Sequence, residues 1–103
     1  MLVTVFRAKS RPNPGPEVEA GFAARGARMF ELASAMPGFV SYKEFASTDG
    51  ETVAIAEFDT HEHLAAWGAH PEHREAQEWG RQNLLSEYQV QVCEVVRTSR
   101  FPR

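Results

Sequence analysis

The sequence predicts an α+β domain in which one antiparallel sheet carries its helices on a single face. Three observations lead to this prediction. Strand-like and helical runs follow one another in the order β-α-β-β-α-β. The dipeptide Asp49-Gly50, typical of a tight hairpin turn, separates the second and third strand-like runs. The length of 103 residues suits one domain with one core, and this element order is that of the ferredoxin-like fold.

The first strand and the first helix are joined by a proline-rich connector. Residues 2–7 are β-branched and aromatic, which predicts a strand. Residues 10–16 hold three of the six prolines and predict an extended connector. In residues 17–36 apolar side chains recur at helical spacing, and Pro37 and Gly38 are expected to end this helix.

The hairpin strands on either side of Asp49-Gly50 have no cleanly polar face. Strict alternation places Phe39 and Phe45 on one face and Tyr42 on the other. In the next strand Val53 and Ile55 lie on one face, and two alanines and a phenylalanine lie on the other. Because helices cover only one face, we expect a second copy of the chain to cover the other, so that two sheets pack into a dimeric α/β barrel.

The second half of the chain predicts a broken helix and a closing strand. Thr60 is expected to cap a first short helix, and Pro71 to begin a second one after a break at residues 68–71. Residues 87–97 predict a strand with Tyr88, Val90 and Val92 on one face. Residues 98–103 form a polar tail.

Composition and charge exclude several classes of partner. A net charge of −3 gives no broad basic surface, so we expect no nucleic-acid binding. No apolar run approaches the roughly 20 residues that span a bilayer, so we expect no membrane association. Cys93 is the only cysteine, which fits a reducing compartment. A cytoplasmic protein of one domain, residues 1–103, is therefore expected.

The four histidines between residues 61 and 73 raise the question of a metal site. His61 and His63 are two residues apart and diverge on a helix, and His70 lies at or before the start of the next helix. No cysteine is near, unlike in the tetrahedral clusters of zinc proteins. We therefore predict no metal site and interpret these three histidines as solvated helix-end residues.

His73 and Trp67 are the residues that we expect to face inward. His73 shares a helical stripe with Ala76, Gln77, Gly80 and Leu84, the side of the helix that is richest in small and apolar residues. A histidine there is either a core residue with its hydrogen bonds satisfied or a pocket residue. Trp67 is a core anchor, a stacking wall for a planar ligand, or both. Trp79 falls off the stripe and is predicted at the surface or at a dimer edge.

The runs "MPGFVSYKEF", "ETVAIAEFDTHEHLAAWGAHPEHREAQ" and "EYQVQVCEVVR" resemble the antibiotic biosynthesis monooxygenase (ABM) domain of the dimeric α/β-barrel superfamily. The resemblance covers nearly the whole chain except the proline-rich connector and the tail. It implies a homodimer of ferredoxin-like subunits, each with a pocket between helices and sheet. Members of this family include cofactor-free oxygenases of polyketide phenols and quinols, and haem-degrading enzymes.

The haem-degrading branch is disfavoured residue by residue. That branch carries an asparagine on the first strand, a tryptophan after the third strand and an axial histidine farther along. Trp67 matches the tryptophan, but Phe6 and Gln77 stand at the other two positions. Phe6 cannot donate a hydrogen bond and Gln77 is a poor iron ligand. Haem degradation therefore stays the least favoured alternative.

The resemblance implies a monooxygenase that needs no cofactor and oxidises a phenolic, quinol or polyketide-type substrate with dioxygen. No glycine-rich phosphate loop supports a nucleotide or flavin. The residues assigned to catalysis are His73, as the base, and Trp67. Those assigned to substrate binding are Phe6, Phe22, Tyr42 and Tyr88, the last as a hydrogen-bond donor. The alternative is a non-catalytic dimer that binds a small aromatic ligand.

Overall fold

The computed structural model describes all residues, 1–103, and contains four strands and three helices. In chain order they are β1 (Leu2–Ser10), α1 (Pro16–Ser34), β2 (Phe39–Ala46), β3 (Thr52–Phe58), α2 (His61–Gly68), α3 (Pro71–Asn83) and β4 (Leu85–Glu94). All strand pairs are antiparallel and the sheet order is β2-β3-β1-β4. The predicted ferredoxin-like α+β fold is confirmed.

The ends of the elements differ from the predictions by a few residues. β1 runs on to Ser10 because its last residues pair with β4, Lys9 opposite Glu87. β4 accordingly begins at Leu85 and ends at Glu94 instead of residue 97. The first helix ends at Ser34, two residues before the predicted end. Pairing with a neighbouring strand, which a single run of sequence does not reveal, explains the strand differences.

The core lies between the helices and one face of the sheet. Ala33 of α1, Phe58 of β3 and Trp67 of α2 form its buried centre, with Phe58 wholly inaccessible. Partly buried apolar side chains pack around this centre: Met29, Leu32, Met36, Phe39 and Leu64. The register places Phe58 opposite Leu2, so Leu2, Thr4, Phe6 and Ala8 of β1 also lie on this helix-side face.

The predicted face of Phe39 is wrong. Strict alternation puts Phe39 on the face of Phe45, but the pairing of β2 with β3 shifts between Phe39 and Ser41. This irregularity brings Phe39 opposite Phe58 on the helix-side face, where the two rings meet edge to face at 5.8 Å. One extra residue at a bulge thus moves a large aromatic ring from the outer face into the core.

The broken helix over the sheet has the predicted start signals. The Thr60 hydroxyl accepts a hydrogen bond from the His63 backbone N–H at 3.2 Å and caps α2. Pro71 is the first residue of α3, and His70 Nδ1 accepts from the Glu72 N–H at 3.2 Å. None of the three helices combines the length and the apolar character needed to cross a membrane.

The face of the sheet that carries no helix is apolar at its centre. The half-buried Val5 and Ile55 are paired across β1 and β3, with Val3 and Val53 beside them. Phe45 on β2 is 48% exposed. This surface, the helix-free face, has no cover within one chain.

Candidate functional site

Two side-chain contacts fix the rotation of α3 over the sheet. On one side the Arg25 guanidinium of α1 lies over the Trp79 ring, 4.1 Å from its centroid. On the other side Arg81 Nη1 donates a hydrogen bond of 3.0 Å to the Tyr88 hydroxyl of β4. Trp79 is therefore half-buried between α3 and α1 of the same chain and is not a free surface residue, whereas a position at a dimer edge stays a prediction.

One side of α3 forms a wall above β4. His73, Gln77 and Arg81 are spaced four residues apart and so lie in one row on the helix. The Gln77 amide N–H donates a long hydrogen bond of 3.4 Å to His73 Nε2, as expected for neighbours in such a row. Arg81, at the C-terminal end of this row, contacts Tyr88 of β4, whereas His73, at the other end, contacts Trp67 of α2.

The helix-side face of β1 and β4 provides an apolar floor beside this wall. The register places Phe6 opposite Val90, with Tyr88 and Val92 on the same face of β4. Val90 and Val92 are 47% and 57% exposed, because the helices leave this edge of the sheet uncovered. We call this region the β4 slot. The name covers the apolar side chains Phe6, Tyr88, Val90 and Val92 of the sheet and the row His73, Gln77 and Arg81 of α3, which Arg81 joins to Tyr88.

The imidazole of His73 is held with its Nε2 unprotonated. His73 Nδ1 lies 3.0 Å from the Trp67 carbonyl oxygen and must donate its proton to it. The ring lies flat against the Trp67 indole, with centroids 4.1 Å apart and an angle of 10° between the planes. Burial lowers the pKa of His73, which the hydrogen bond to Trp67 opposes and the charge of His70 reinforces. His73 is thus neutral, and the lone pair of its Nε2 accepts the long hydrogen bond from the Gln77 amide.

Tyr88 is held at the opposite end of the row from His73. Its ring stacks on Phe6 with centroids 5.4 Å apart. Its hydroxyl oxygen accepts from Arg81, and Arg81 is itself held by hydrogen bonds to the Glu78 carboxylate. Glu78 and Tyr88 both raise the pKa of Arg81, so the guanidinium stays charged. The Tyr88 hydroxyl proton has no acceptor among these partners and is available to a ligand.

Phe22 and Tyr42 lie elsewhere, in a groove of about 520 Å³ between α1 and β2. Small residues of α1 open this groove, and its lining consists of Phe22, Ala23, Gly26, Ala27, Phe30, Tyr42, Lys43 and Glu44. The Tyr42 hydroxyl donates to Glu44 at 2.6 Å. Burial, and then Glu44, raises the pKa of Tyr42 well above its ordinary value, so the phenol stays protonated. Phe22 and Tyr42, two of the residues assigned to substrate binding, thus line a groove whose lining does not include Trp67.

The other three histidines do not converge on His73. His61 Nε2 pairs with Glu94 at 3.1 Å, His63 Nδ1 pairs with Asp59 at 2.6 Å, and His70 caps α3. No group of three or more His, Cys, Asp or Glu side chains is placed to hold a metal ion.

Sequence reasoning missed two residues near the β4 slot. Arg81 continues the row of His73 and Gln77, a spacing that was visible in the sequence. Thr4 lies opposite Val92 on the helix-side face, and its Oγ1 is the only buried side-chain polar atom without a hydrogen-bond partner. Strand alternation alone would have placed Thr4 beside Phe6.

Comparisons with known proteins agree with the fold. The family model for antibiotic biosynthesis monooxygenase matches residues 4–79. The uncharacterized protein YqjZ of Bacillus subtilis (strain 168) is 31% identical over 85 residues, which cover 82% of this chain and 75% of YqjZ.

Two solved structures show how closely the backbone follows this fold. A candidate antibiotic biosynthesis monooxygenase from Deinococcus radiodurans superposes with a TM-score of 0.81 at 11% identity, over 98% of both chains. SnoaB, a cofactor-independent oxygenase from Streptomyces nogalater, superposes with a TM-score of 0.76 at 22% identity, over 99% of this chain and 97% of SnoaB. Since the family model spans most of the sequence, this chain belongs to the antibiotic biosynthesis monooxygenase family.

Proposed function

We propose that this protein is a cofactor-independent monooxygenase that oxidises an electron-rich phenol or hydroquinone with dioxygen. One observation carries the proposal: His73 is a neutral, half-buried histidine whose Nε2 carries a lone pair, and a phenol that replaces Gln77 as the donor would meet that nitrogen. Membership in the family supports it, as does the shared fold of SnoaB, which is a cofactor-independent oxygenase.

The reaction needs only the substrate and dioxygen. His73 Nε2 takes the phenolic proton, and the phenolate passes one electron to dioxygen. The two radicals combine at an unsubstituted ring carbon to form a peroxide anion, which takes the proton back from His73 to give a hydroperoxide. Loss of water then leaves a quinone, so that one oxygen atom enters the product and the other leaves as water. The substrate supplies all four electrons that dioxygen gains, two for each oxygen atom, so the reaction balances without a flavin or a metal.

The residues around the β4 slot would each serve one part of this reaction. The Trp67 carbonyl holds the Nδ1 proton of His73 and so leaves Nε2 as the base. The Trp67 indole supports the flat face of the imidazole. Phe6, Val90 and Val92 offer apolar surface on which an aromatic ring displaces water.

An oxygen electrode tests the proposal with 1,4-dihydroxynaphthalene as the substrate and the non-enzymatic rate subtracted. We expect catalysed oxygen uptake that falls by about 10²-fold in His73→Ala, the usual contribution of a general base. His61→Ala is the matched control, because His61 is exposed and its ring pairs only with Glu94. Full activity in folded His73→Ala would overturn the role of His73.

The same preparation separates the alternatives. Saturable quenching of tryptophan fluorescence without oxygen uptake would favour a non-catalytic protein that binds an aromatic ligand. A Soret band on haem titration, followed by a bilin-like product, would favour haem degradation. The haem result is not expected, because Phe6 and Gln77 stand where the haem-degrading branch has an asparagine and an axial histidine.

We also propose that two copies pair through the helix-free face. A half-exposed Phe45 next to Val53 and Ile55 supports this arrangement, since so apolar a surface is stabilised by leaving water. Light scattering after size exclusion should give twice the chain mass. Phe45→Glu should give the single mass, whereas Phe22→Glu on the other side of the sheet should not change it.

A further inference from the structure

We infer that the groove between α1 and β2 is a second ligand site, which binds a small aromatic amine in its ammonium form. This groove of about 520 Å³ is separate from the β4 slot, because α1 and β2 line it and neither α3 nor β4 contributes. Pairing of two copies through the helix-free face would leave it open, since α1 lies on the other side of the sheet. The inference goes beyond the proposed function and does not depend on it.

Gly26 opens the groove for a reason that the chain itself does not supply. Glycine is less favourable than alanine in the interior of a helix. Gly21 of the same helix has a packing reason, since a Cβ there would lie 2.9 Å from the Trp79 ring. A Cβ at Gly26 would meet no atom within 4 Å outside its own stretch of helix. The missing side chain at Gly26 therefore leaves room for a molecule from outside the chain.

Aromatic side chains border this opening. Phe22 and Phe30 of α1 are 44% and 48% exposed, although a phenylalanine ring is stabilised by leaving water. The Phe30 ring meets the Tyr42 ring of β2 edge to face, with centroids 6.0 Å apart. Small residues of α1 keep the surface between the two phenylalanines low. A flat ring laid on this surface would contact apolar side chains and cover both phenylalanines.

The polar side chains at the β2 end of the groove offer acceptors. The Tyr42 hydroxyl donates its proton to the Glu44 carboxylate at 2.6 Å, so the lone pairs of its oxygen stay free. None of the ion pairs in the chain includes Glu44. A donor that carries a positive charge would satisfy both the phenol oxygen and the carboxylate.

The basic side chains of α1 and β2 are directed away from this end of the groove. Lys43 points to the other side of β2, where its ammonium lies 5.8 Å from the Phe45 ring centroid. Arg25 and Arg28, the basic residues of α1, both contact α3. The groove therefore combines apolar walls with a carboxylate that has no cation beside it. An aromatic ring joined by a short chain to an ammonium group has the complementary pattern.

Calorimetry with tryptamine at pH 7 tests the inference. The matched neutral ligand is tryptophol, in which a hydroxyl replaces the ammonium. We expect tryptamine to bind about tenfold more tightly than tryptophol, as one charge-assisted hydrogen bond allows. In Glu44→Gln this preference should disappear, while the binding of tryptophol stays the same. Glu62→Gln is the matched control and should keep the preference, because Glu62 is an exposed carboxylate of α2 outside the groove.

Backbone amide signals in NMR spectra locate the bound ligand. Tryptamine should shift the amide signal of Gly26 and leave that of Gly80, on α3, in place. Gly26→Leu places a side chain in the groove and should abolish tryptamine binding. Its midpoint of thermal unfolding should be no lower than that of the wild type, because leucine favours a helix more than glycine does and the added side chain meets open space.

Each outcome of these experiments decides the inference. No binding of tryptamine, equal affinities for tryptamine and tryptophol, or a preference that survives in Glu44→Gln would overturn it. A shift of the Gly80 signal without a shift of the Gly26 signal would overturn it as well. A preference that is lost in Glu44→Gln, together with a shifted Gly26 signal, would support it. The oxygenase is tested separately by His73→Ala, so that either proposal can fail without the other.

Discussion

The stacking of His73 on Trp67 can be tested sharply, because the contribution of the rings to stability can be separated from that of the backbone hydrogen bond. His73 donates its hydrogen bond to the backbone carbonyl of residue 67, which every substitution at Trp67 retains. A double-mutant cycle with Trp67→Leu and His73→Leu therefore cancels that hydrogen bond and reports the contact between the two rings. The rings are nearly parallel at 4.1 Å, the offset-stacked kind of contact.

The expected coupling is about 1 kcal/mol in the free energy of unfolding, the usual value for stacked aromatic rings. Trp67→Leu alone should cost about 2–4 kcal/mol, because the indole is 7% exposed and leucine leaves part of its space empty. Urea unfolding at pH 8 measures all four proteins, at one chain concentration in case the copies pair. A coupling below about 0.3 kcal/mol would refute the interpretation of this contact as a stabilising stack.

Three further outcomes are expected. Gly38→Ala should lower the free energy of unfolding by more than about 2 kcal/mol or prevent folding. Gly38 has a φ of +81°, and a Cβ there would overlap the Asp59 and His63 side chains. Thermal unfolding measures this loss. Thr4→Val should raise the midpoint of thermal unfolding by several degrees, since it removes a buried hydroxyl without a partner, and a lower midpoint would contradict this. Burial lowers the pKa of His73 below 6.5, so the unfolded chain is protonated first as the pH falls. Stability should therefore decline from pH 6.5 towards the lowered pKa and then level off, and His73→Leu should lack this decline.

The sequence was sufficient for the elements and their order because each carried a local signal. Asp49-Gly50 marked the hairpin, Thr60 the start of α2 and Pro71 the start of α3, and none of these depends on distant residues. The face of Phe39 could not be predicted, because a bulge is decided by pairing with β3 and not by the strand itself.

The site was predicted only in part for a similar reason. The helical period correctly put His73 on the inner side of α3, but the rotation of α3 depends on Arg25 and Tyr88, which belong to other elements. That rotation places Trp79 against α1. The same long-range packing puts Phe22 and Tyr42 in their own groove, a separation that periodicity within one helix or strand cannot express.

The interruption between α2 and α3 has a consequence for the chemistry of His73. In an unbroken helix the Trp67 carbonyl would accept the N–H of residue 71, but Pro71 has none. The freed oxygen accepts instead from the His70 N–H at 3.1 Å and from His73 Nδ1 at 3.0 Å. The main-chain carbonyl of Trp67 thus determines which nitrogen of the His73 imidazole carries the proton.

A histidine oriented by a backbone carbonyl differs from a histidine oriented by a carboxylate. Asp59 beside His63 is anionic and can be removed by a single substitution, whereas the Trp67 carbonyl is neutral and survives any exchange of its side chain. A neutral partner stabilises the imidazolium less than a carboxylate does, so His73 returns its proton readily. Inserting or deleting a residue at 68–71 should therefore break the hydrogen bond from His73 Nδ1 to the Trp67 carbonyl. A point substitution that keeps the backbone in place should leave that hydrogen bond intact.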